Sequence, residues 1–185
     1  MHIIVAITGA SGVEYGITLV KYLSSKQDIT FDLIISEEGK ALISHESTVK
    51  IDELASGAEN LYDNSDIAAP ISSGSRNFDA MVIVPCSFST LAKIRAGIAD
   101  NLITRVAAVA LKETRKLILV PRETPLNTIQ LKNMAKLAKL DVCILPAMPA
   151  FYHKPRDIQD IFNFIVGKIL DQLNIENDLY NRWGK

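Results

Sequence analysis

Five short apolar runs punctuate the chain: Ile3–Ile7, Phe31–Ile35, Met81–Val84, Leu117–Val120 and Val142–Leu145. They are continuous rather than alternating, as strands buried on both faces should be. Between them apolar positions recur at helical spacing. Residues 13–25 carry Val13, Ile17, Val20 and Leu23 on one face, and residues 126–139 carry Leu131, Met134, Leu137 and Leu140. Residues 90–113 hold two helical stretches broken near Gly97–Asn101. Residues 157–173 align Ile158, Ile161, Ile165, Ile169 and Leu173. Strand and helix alternating through short links predict a parallel sheet covered on both faces. Right-handed crossovers make this an α/β fold: a doubly wound, Rossmann-like sheet in three αβα layers. Residues 48–80 fit neither period, and a long irregular connection in such a domain is often functional.

The 185 residues suit one domain, 1–185. Its tail, 175–185, ends near Trp183, a residue expected to pack on its own domain or on a neighbouring subunit. The formal net charge of −1 gives no global field toward nucleic acid or membrane, so any anion binding must come from local clusters. The opening run is too short for a signal peptide or a spanning helix. Two cysteines, Cys86 and Cys143, show no paired spacing for zinc or a disulfide, so a reducing cytoplasm is expected. A mean hydropathy of +0.16 is slightly apolar and fits an oligomer.

Ligands of an open parallel sheet bind at the carboxyl ends of its strands, so those ends carry the candidate chemistry. The first is Thr8-Gly9-Ala10-Ser11-Gly12, where glycines admit a close ligand and a helix N-terminus favours an anion. Its spacing is not G-x-G-x-x-G. The Y-x-x-x-K spelled by Tyr22 and Lys26 lies in the wrong helix for a dehydrogenase pair. At the second end Ser36 is expected to cap a helix whose first turn holds Glu37 and Glu38. Glu46, near the end of that helix, is either a solvated carboxylate or a catalytic one. The third end gathers Ser87, Ser89 and Thr90, one hydroxyl more than capping needs, which suggests a ligand. At the fourth, Arg122 beside Glu123 offers either bidentate phosphate binding or a local ion pair. The fifth is a proline-stiffened loop bearing Phe151, Tyr152 and His153, read as a pocket wall or a hydrophobic plug. Arg105 and Lys112 share a helix face, and Lys168 flanks the last apolar stripe. Together these groups suit two phosphates and one flat ring, with no P-loop, H-E-x-x-H or metal-spaced set in the sequence.

The stretches "TGASGVEYG", "SSGS" (72–75), "VPCSFSTLAKIRAGIADNLITRVAAVALKETRKLILVPRETPL" and "LPAMPAFYHKP" closely resemble the flavin prenyltransferases, the UbiX-type family, from about residue 3 to the end. The resemblance implies a Rossmann-like homo-oligomer, a dodecamer of trimers, binding FMN between subunits. It implies transfer of a dimethylallyl group from dimethylallyl phosphate to N5 and C6 of reduced FMN without a metal. The product would serve UbiD-type decarboxylases. Carried over by position, FMN contacts are expected at Gly9, Ala10, Ser11, Ser36, Ser87, Ser89, Thr90 and Arg122. Prenyl-phosphate contacts are expected at Lys112, Arg122, Glu123, Tyr152 and Lys168, the last an arginine in most of the family. Ser11 and Glu46 match a proton-moving pair, so Ser11, Glu46, Glu123 and Tyr152 are the catalytic candidates. Arg105, Ser73 and Gly74 are further candidates. Two other readings stay open: an FMN-dependent cysteine-type decarboxylase, which calls for a catalytic His and an Asn-x-x-Met motif not found in "PAMPAFYHKP", and a non-catalytic flavin carrier.

Overall fold

The computed structural model describes residues 1–184. In chain order the elements are β1 (His2–Ile7), α1 (Val13–Ser24), β2 (Thr30–Ile35), α2 (Glu37–Glu46), α3 (Ile51–Ala55) and β3 (Asn60–Asp63). A single 3-10 turn at Pro70–Ser72 precedes β4 (Ala80–Cys86), α4 (Phe88–Ala96), α5 (Leu102–Lys112) and β5 (Lys116–Pro121). Then come α6 (Thr128–Ala138), β6 (Cys143–Ile144) and α7 (Ile158–Gln172). The strands form one parallel sheet in the order β3-β2-β1-β4-β5-β6. The winding reverses between β1 and β4, which makes that point the place for a ligand.

The continuous apolar runs follow from burial on two sides. In β1, Ile3, Val5 and Ile7 pack with α1 and α7, while Ile4 and Ala6 pack with α4 and α5 on the other face. Both faces of the strand are therefore apolar, and no alternation appears. All five runs are strands, but the sheet has six. The addition, β3, lies inside the irregular 48–80 stretch. It is an edge strand, Asn-Leu-Tyr-Asp, largely open to solvent, so it never needed an apolar run.

β4 outlasts its apolar run by passing through Pro85. That residue has no N–H to give, and the β4–β5 register shifts between Ile83 and Cys86. The carbonyl of Pro85 instead accepts the backbone N–H and hydroxyl of Thr8, at 3.2 and 2.8 Å, locking the ends of β1 and β4 together. The break between α4 and α5 is made by Gly97 at φ 73 and by a capping box between Asn101 and Thr104. The stripe on α6 differs from its expected burial. Leu137 is buried, but Leu131 and Leu140 remain half exposed, because α6 rests on α4 at the periphery. Ile158, at the start of α7, is exposed as well, while Ile165, Ile169 and Leu173 are in the core.

Candidate functional site

The loop after β1 reaches α1 through Gly12, whose φ of 96 is the left-handed conformation glycine allows. Gly12 has no side chain with which to cap the helix. Glu46 does it instead: its carboxylate accepts the N–H of Gly12 at 2.8 Å and that of Val13 at 3.3 Å. This explains a charge that looked misplaced at the end of α2. The side chain crosses to the N-terminus of α1, where the dipole favours an anion. Burial pushes the Glu46 carboxyl up. Hydrogen bonds from Gly12, the Ser11 side chain and Val13, with the nearby Arg122 charge, outweigh it and hold the group below its ordinary range.

Arg122, just past the end of β5, donates from Nε to the Ser11 carbonyl at 2.9 Å. It does not form the local ion pair with Glu123. The Glu123 carboxylate accepts the Thr124 N–H at 3.0 Å. Beneath Arg122 lies Tyr15, edge-on to Phe162 at 5.3 Å, whose phenol is pushed up by burial against the opposing arginine charge. Ser11, Glu46 and Arg122, which lie far apart in sequence, thus share one cluster.

Beside it a cleft of about 340 Å³ opens across the ends of β1, β2 and β4. Gly9, Ser36, Ser87, Ser89 and Thr90 line it. The Ser36 Oγ accepts the Gly39 N–H and caps α2. The Ser87 Oγ accepts the Thr90 N–H and donates to the Thr90 hydroxyl at 3.0 Å, while the Ser87 N–H goes to Thr8. Among the described residues the exposed Ser89 hydroxyl has no partner, and the Ser36 and Thr90 hydroxyls only accept, so all three can donate to a ligand. Ala10 is buried below the loop. The cleft also includes Asn64, Lys93 and Asn101, which sequence reasoning did not single out. Lys93 is paired with Asp100 at 2.7 Å. Asn64 follows the strand that left no apolar signal, and its Oδ1 accepts the Ile103 N–H at the start of α5.

The remaining candidates lie elsewhere in the chain. Lys112 ends α5, just before β5 begins, whereas Arg122 follows the same strand. The six residues of β5, roughly 20 Å of extended chain, lie between them. Around Lys112 the structure gathers the "SSGS" loop. Arg105 donates to the Ser72 carbonyl at 3.0 Å and Arg115 to the Gly74 carbonyl at 2.8 Å. The Ser73 and Ser75 hydroxyls pair at 2.8 Å. A Cβ on Gly74 would stand 2.8 Å from Lys112 Nζ and collide with Glu113. Lys112 itself pairs with Glu113 at 2.6 Å and is half exposed.

Tyr152 and Lys168 belong to a third patch. Tyr152 stands edge-on to Trp183 at 5.3 Å and to Phe164 at 6.0 Å. Lys168, one turn beyond Phe164 on α7, lies 3.5 Å from Asp171. Trp183 is 80% exposed, while Tyr180 of the same tail packs on its own domain. His153 stacks on Phe164 at 5.2 Å, and both its ring nitrogens are buried without a partner.

Burial pushes the Cys86 thiol far up, and raises that of Cys143, so neither carries thiolate character. Folding does bring His2, Asp32 and Glu59 within 4.8 Å of one another, at the edge of the sheet remote from the cleft. There His2 bonds Asp32 at 3.0 Å and Thr30 at 2.8 Å. Among the described residues no helix is long and apolar enough to cross a membrane.

Comparison with known proteins agrees with this fold. The family model described as Flavoprotein matches residues 1–170. A flavin prenyltransferase UbiX from Thermoplasma acidophilum is 50% identical over 183 residues, covering 99% of this chain and all of that protein. Its counterpart from Methanocaldococcus jannaschii is 48% identical over 184 residues, covering 100% and 99%. Among solved structures, a dodecameric FMN-dependent UbiX-like decarboxylase from Escherichia coli O157:H7 superposes with a TM-score of 0.98 at 43% identity, over the whole of both chains. AnUbiX, in complex with FMN and dimethylallyl pyrophosphate, superposes at 0.95 with 38% identity, over 100% of this chain and 97% of that one.

Proposed function

The chain belongs to the flavoprotein family and, within it, to the UbiX-type flavin prenyltransferases; we propose that it joins the dimethylallyl group of dimethylallyl phosphate to N5 and C6 of reduced FMN. The observation that carries this reading is the junction at the sheet's switch point. A cleft lined by the Ser36, Ser87, Ser89 and Thr90 hydroxyls meets a loop whose Ser11 is tied to an ionised Glu46 and whose carbonyl is held by Arg122. Hydroxyls, backbone donors and a glycine lip fit a flavin nucleotide, with Gly9, Ala10, Ser11, Ser36, Ser87, Ser89, Thr90 and Arg122 holding it. When bound, reduced FMN supplies the electron-rich ring.

The chain's own residues bind, neutralise and move protons. The allylic C–O bond breaks with its electron pair leaving on phosphate. Arg122, Lys112 and Lys168 offset that charge in the place of a metal ion, with Glu123 a further contact to the prenyl phosphate. Tyr152 hydrogen-bonds the phosphate and turns its ring face to the allylic cation. Glu46, held ionised, takes up through the Ser11 hydroxyl the proton that C6 loses as its bond forms, while the proton released from N5 with the departing phosphate adds to the alkene carbon of the transferred group. The Lys112 and Tyr152–Lys168 patches are set apart from the cleft within one chain. We therefore propose a homo-oligomer, a dodecamer of trimers, in which neighbouring copies supply them. It would work in the cytoplasm and hand its product to UbiD-type decarboxylases.

The test mixes the protein with FMN, a reductant and dimethylallyl phosphate under anaerobic conditions and follows the flavin's mass. A flavin carrying one added dimethylallyl group is expected. Flavin left unmodified by both the phosphate and the pyrophosphate donor overturns the reading. In the Ser11→Ala variant, flavin should be retained and turnover stall; full activity would leave the loop a binding role only.

A further inference from the structure

Asp171 stands in the last turn of α7, where a helix dipole disfavours an anion. Its carboxylate is nevertheless the most heavily bonded side chain of the C-terminal region. It accepts the Tyr180 hydroxyl at 2.7 Å and the Arg182 guanidinium twice, from Nη2 to Oδ1 at 2.7 Å and from Nη1 to Oδ2 at 3.1 Å. It also accepts Asn177 Nδ2 at 3.0 Å, and Lys168 Nζ lies 3.5 Å away. Burial pushes this carboxyl up. Bonds from Arg182, Tyr180 and Asn177 and the Arg182 charge overcome it and bring the group down to about 2. The Tyr180 phenol, partly buried and committed to Asp171, moves up to about 12.

Three of these donors come from the segment 177–182, which doubles back across α7. The crossing is close: a Cβ on Gly167 would stand 2.5 Å from the Tyr180 ring. Beyond the clamp the same segment delivers Trp183, which meets Tyr152 edge-on at 90°. Phe164 meets Tyr152 from the α7 side at 83°, and Tyr180 in turn packs on Phe164 at 5.0 Å. Tyr152 is therefore held between one wall fixed by α7 and another fixed only through the tail.

We propose that Asp171 is a positioning residue for the prenyl-phosphate pocket: its carboxylate clamps the 177–182 strap onto α7 and so sets the Trp183 wall against Tyr152. This rests on the prenyltransferase reading above, because that reading makes Tyr152 a substrate contact. Asp171 itself touches no reacting group. Lys168 Nζ, 3.5 Å from the same carboxylate, is only loosely engaged by it.

The experiment compares wild type with Asp171→Asn, Asp171→Glu and Tyr180→Phe. Steady-state prenylation is measured alongside the fluorescence anisotropy of Trp183, the chain's single tryptophan. Loss of the charge in Asp171→Asn is expected to raise KM for dimethylallyl phosphate about tenfold, leave the FMN affinity unchanged and lower the Trp183 anisotropy. Tyr180→Phe, which removes one donor and keeps the carboxylate, should give a smaller shift in the same direction. Asp171→Glu should recover most of both readouts. An active wild type whose variants keep KM and anisotropy overturns the positioning role alone. So does a kcat loss at unchanged KM. A wild type that leaves flavin unmodified overturns the functional reading instead, and the clamp is then judged by anisotropy, where no change in Asp171→Asn overturns it.

Discussion

Two of the three regions that hold the cations and carboxylates of the candidate site are built in opposite ways. At the carboxyl edge of the sheet, Glu46, Ser11 and Arg122 are tied to one another and to the backbone at Gly12 and Val13. At the other end of β5, Lys112 has one exposed partner, Glu113, and stands over a loop stitched by Arg105 and Arg115. The first cluster is closed upon itself and set before any ligand arrives. The second presents its charge outward. Pre-set hydrogen bonds suit proton transfer, where geometry decides the rate. A mobile ammonium suits a phosphate that must arrive and depart.

The comparison breaks hardest at Glu46. Glu46→Gln removes the ionised acceptor while keeping an oxygen for the N–H groups of α1. Flavin affinity should change little, whereas kcat should fall about 10²–10⁴-fold, the range for loss of a positioned acid–base group. The pH dependence follows from the depressed pKa. A lowered folded pKa stabilises the loop at every pH above the ordinary carboxylate value of about 4.3, and that stabilisation is lost only as pH falls through the lower, folded value. The Glu46 limb of the pH–rate profile should thus lie below about pH 4.3 and vanish in the variant. A limb near neutrality would assign the proton transfer to another group.

Lys112→Ala comes next, with an expected loss of roughly 10–10² in kcat/KM for the prenyl donor, the scale of one charge-assisted contact, and normal FMN binding. The two variants together sharpen the contrast. Glu46→Gln and Lys112→Ala subunits co-assembled in one oligomer should regain activity, because some interfaces then join an intact Glu46 loop to an intact Lys112. A mixture no more active than its parts would mean that these two regions do not meet across subunits.

Gly74→Ala probes the outward cluster more gently. The atoms nearest the added Cβ are the ends of the flexible Lys112 and Glu113 side chains. Stability should therefore change by less than about 1 kcal/mol, while displacement of the Lys112 ammonium raises KM for the donor about threefold. A large fall in Tm with unchanged KM would make Gly74 a folding requirement of the loop rather than a seat for Lys112.

How much of this was legible in the sequence follows from where each residue's partners lie. β1 and β4 announced themselves because both their faces are buried, whereas β3 stayed silent because Asn60, Leu61 and Asp63 face solvent. Ser36 and Ser87 were legible as caps from their position alone, and both act as caps. The glycine loop was legible as an anion-favouring helix start, but not that Glu46, 34 residues away, would supply the anion. Nothing local marks a side chain that crosses between helices. Lys112 was legible as a cation sharing a helix face with Arg105, its phosphate role came only through family resemblance, and its separation from Arg122 by a whole strand is a fact of topology. Asp171 drew no notice because an acid near a helix end reads as solvated until its three donors from the tail are seen.

The smallest effect expected is a gain. Family resemblance calls for an arginine at the position of Lys168, which offers a phosphate one compact charge rather than a planar fork. Its Nζ is 3.5 Å from Asp171, a carboxylate already held bidentately by Arg182, so the lysine is only loosely engaged and 41% exposed. Lys168→Arg should therefore lower KM for dimethylallyl phosphate about threefold, ~0.6 kcal/mol, with kcat and flavin affinity unchanged. The guanidinium has a second choice, because it can also compete with Arg182 for Asp171. That outcome has its own signature: KM rises and the Trp183 anisotropy falls as the strap loosens. A lower KM with unchanged anisotropy places residue 168 on the phosphate. A higher KM with lower anisotropy places it on the clamp, and makes the lysine here an adjustment to Arg182 rather than a weakened phosphate contact.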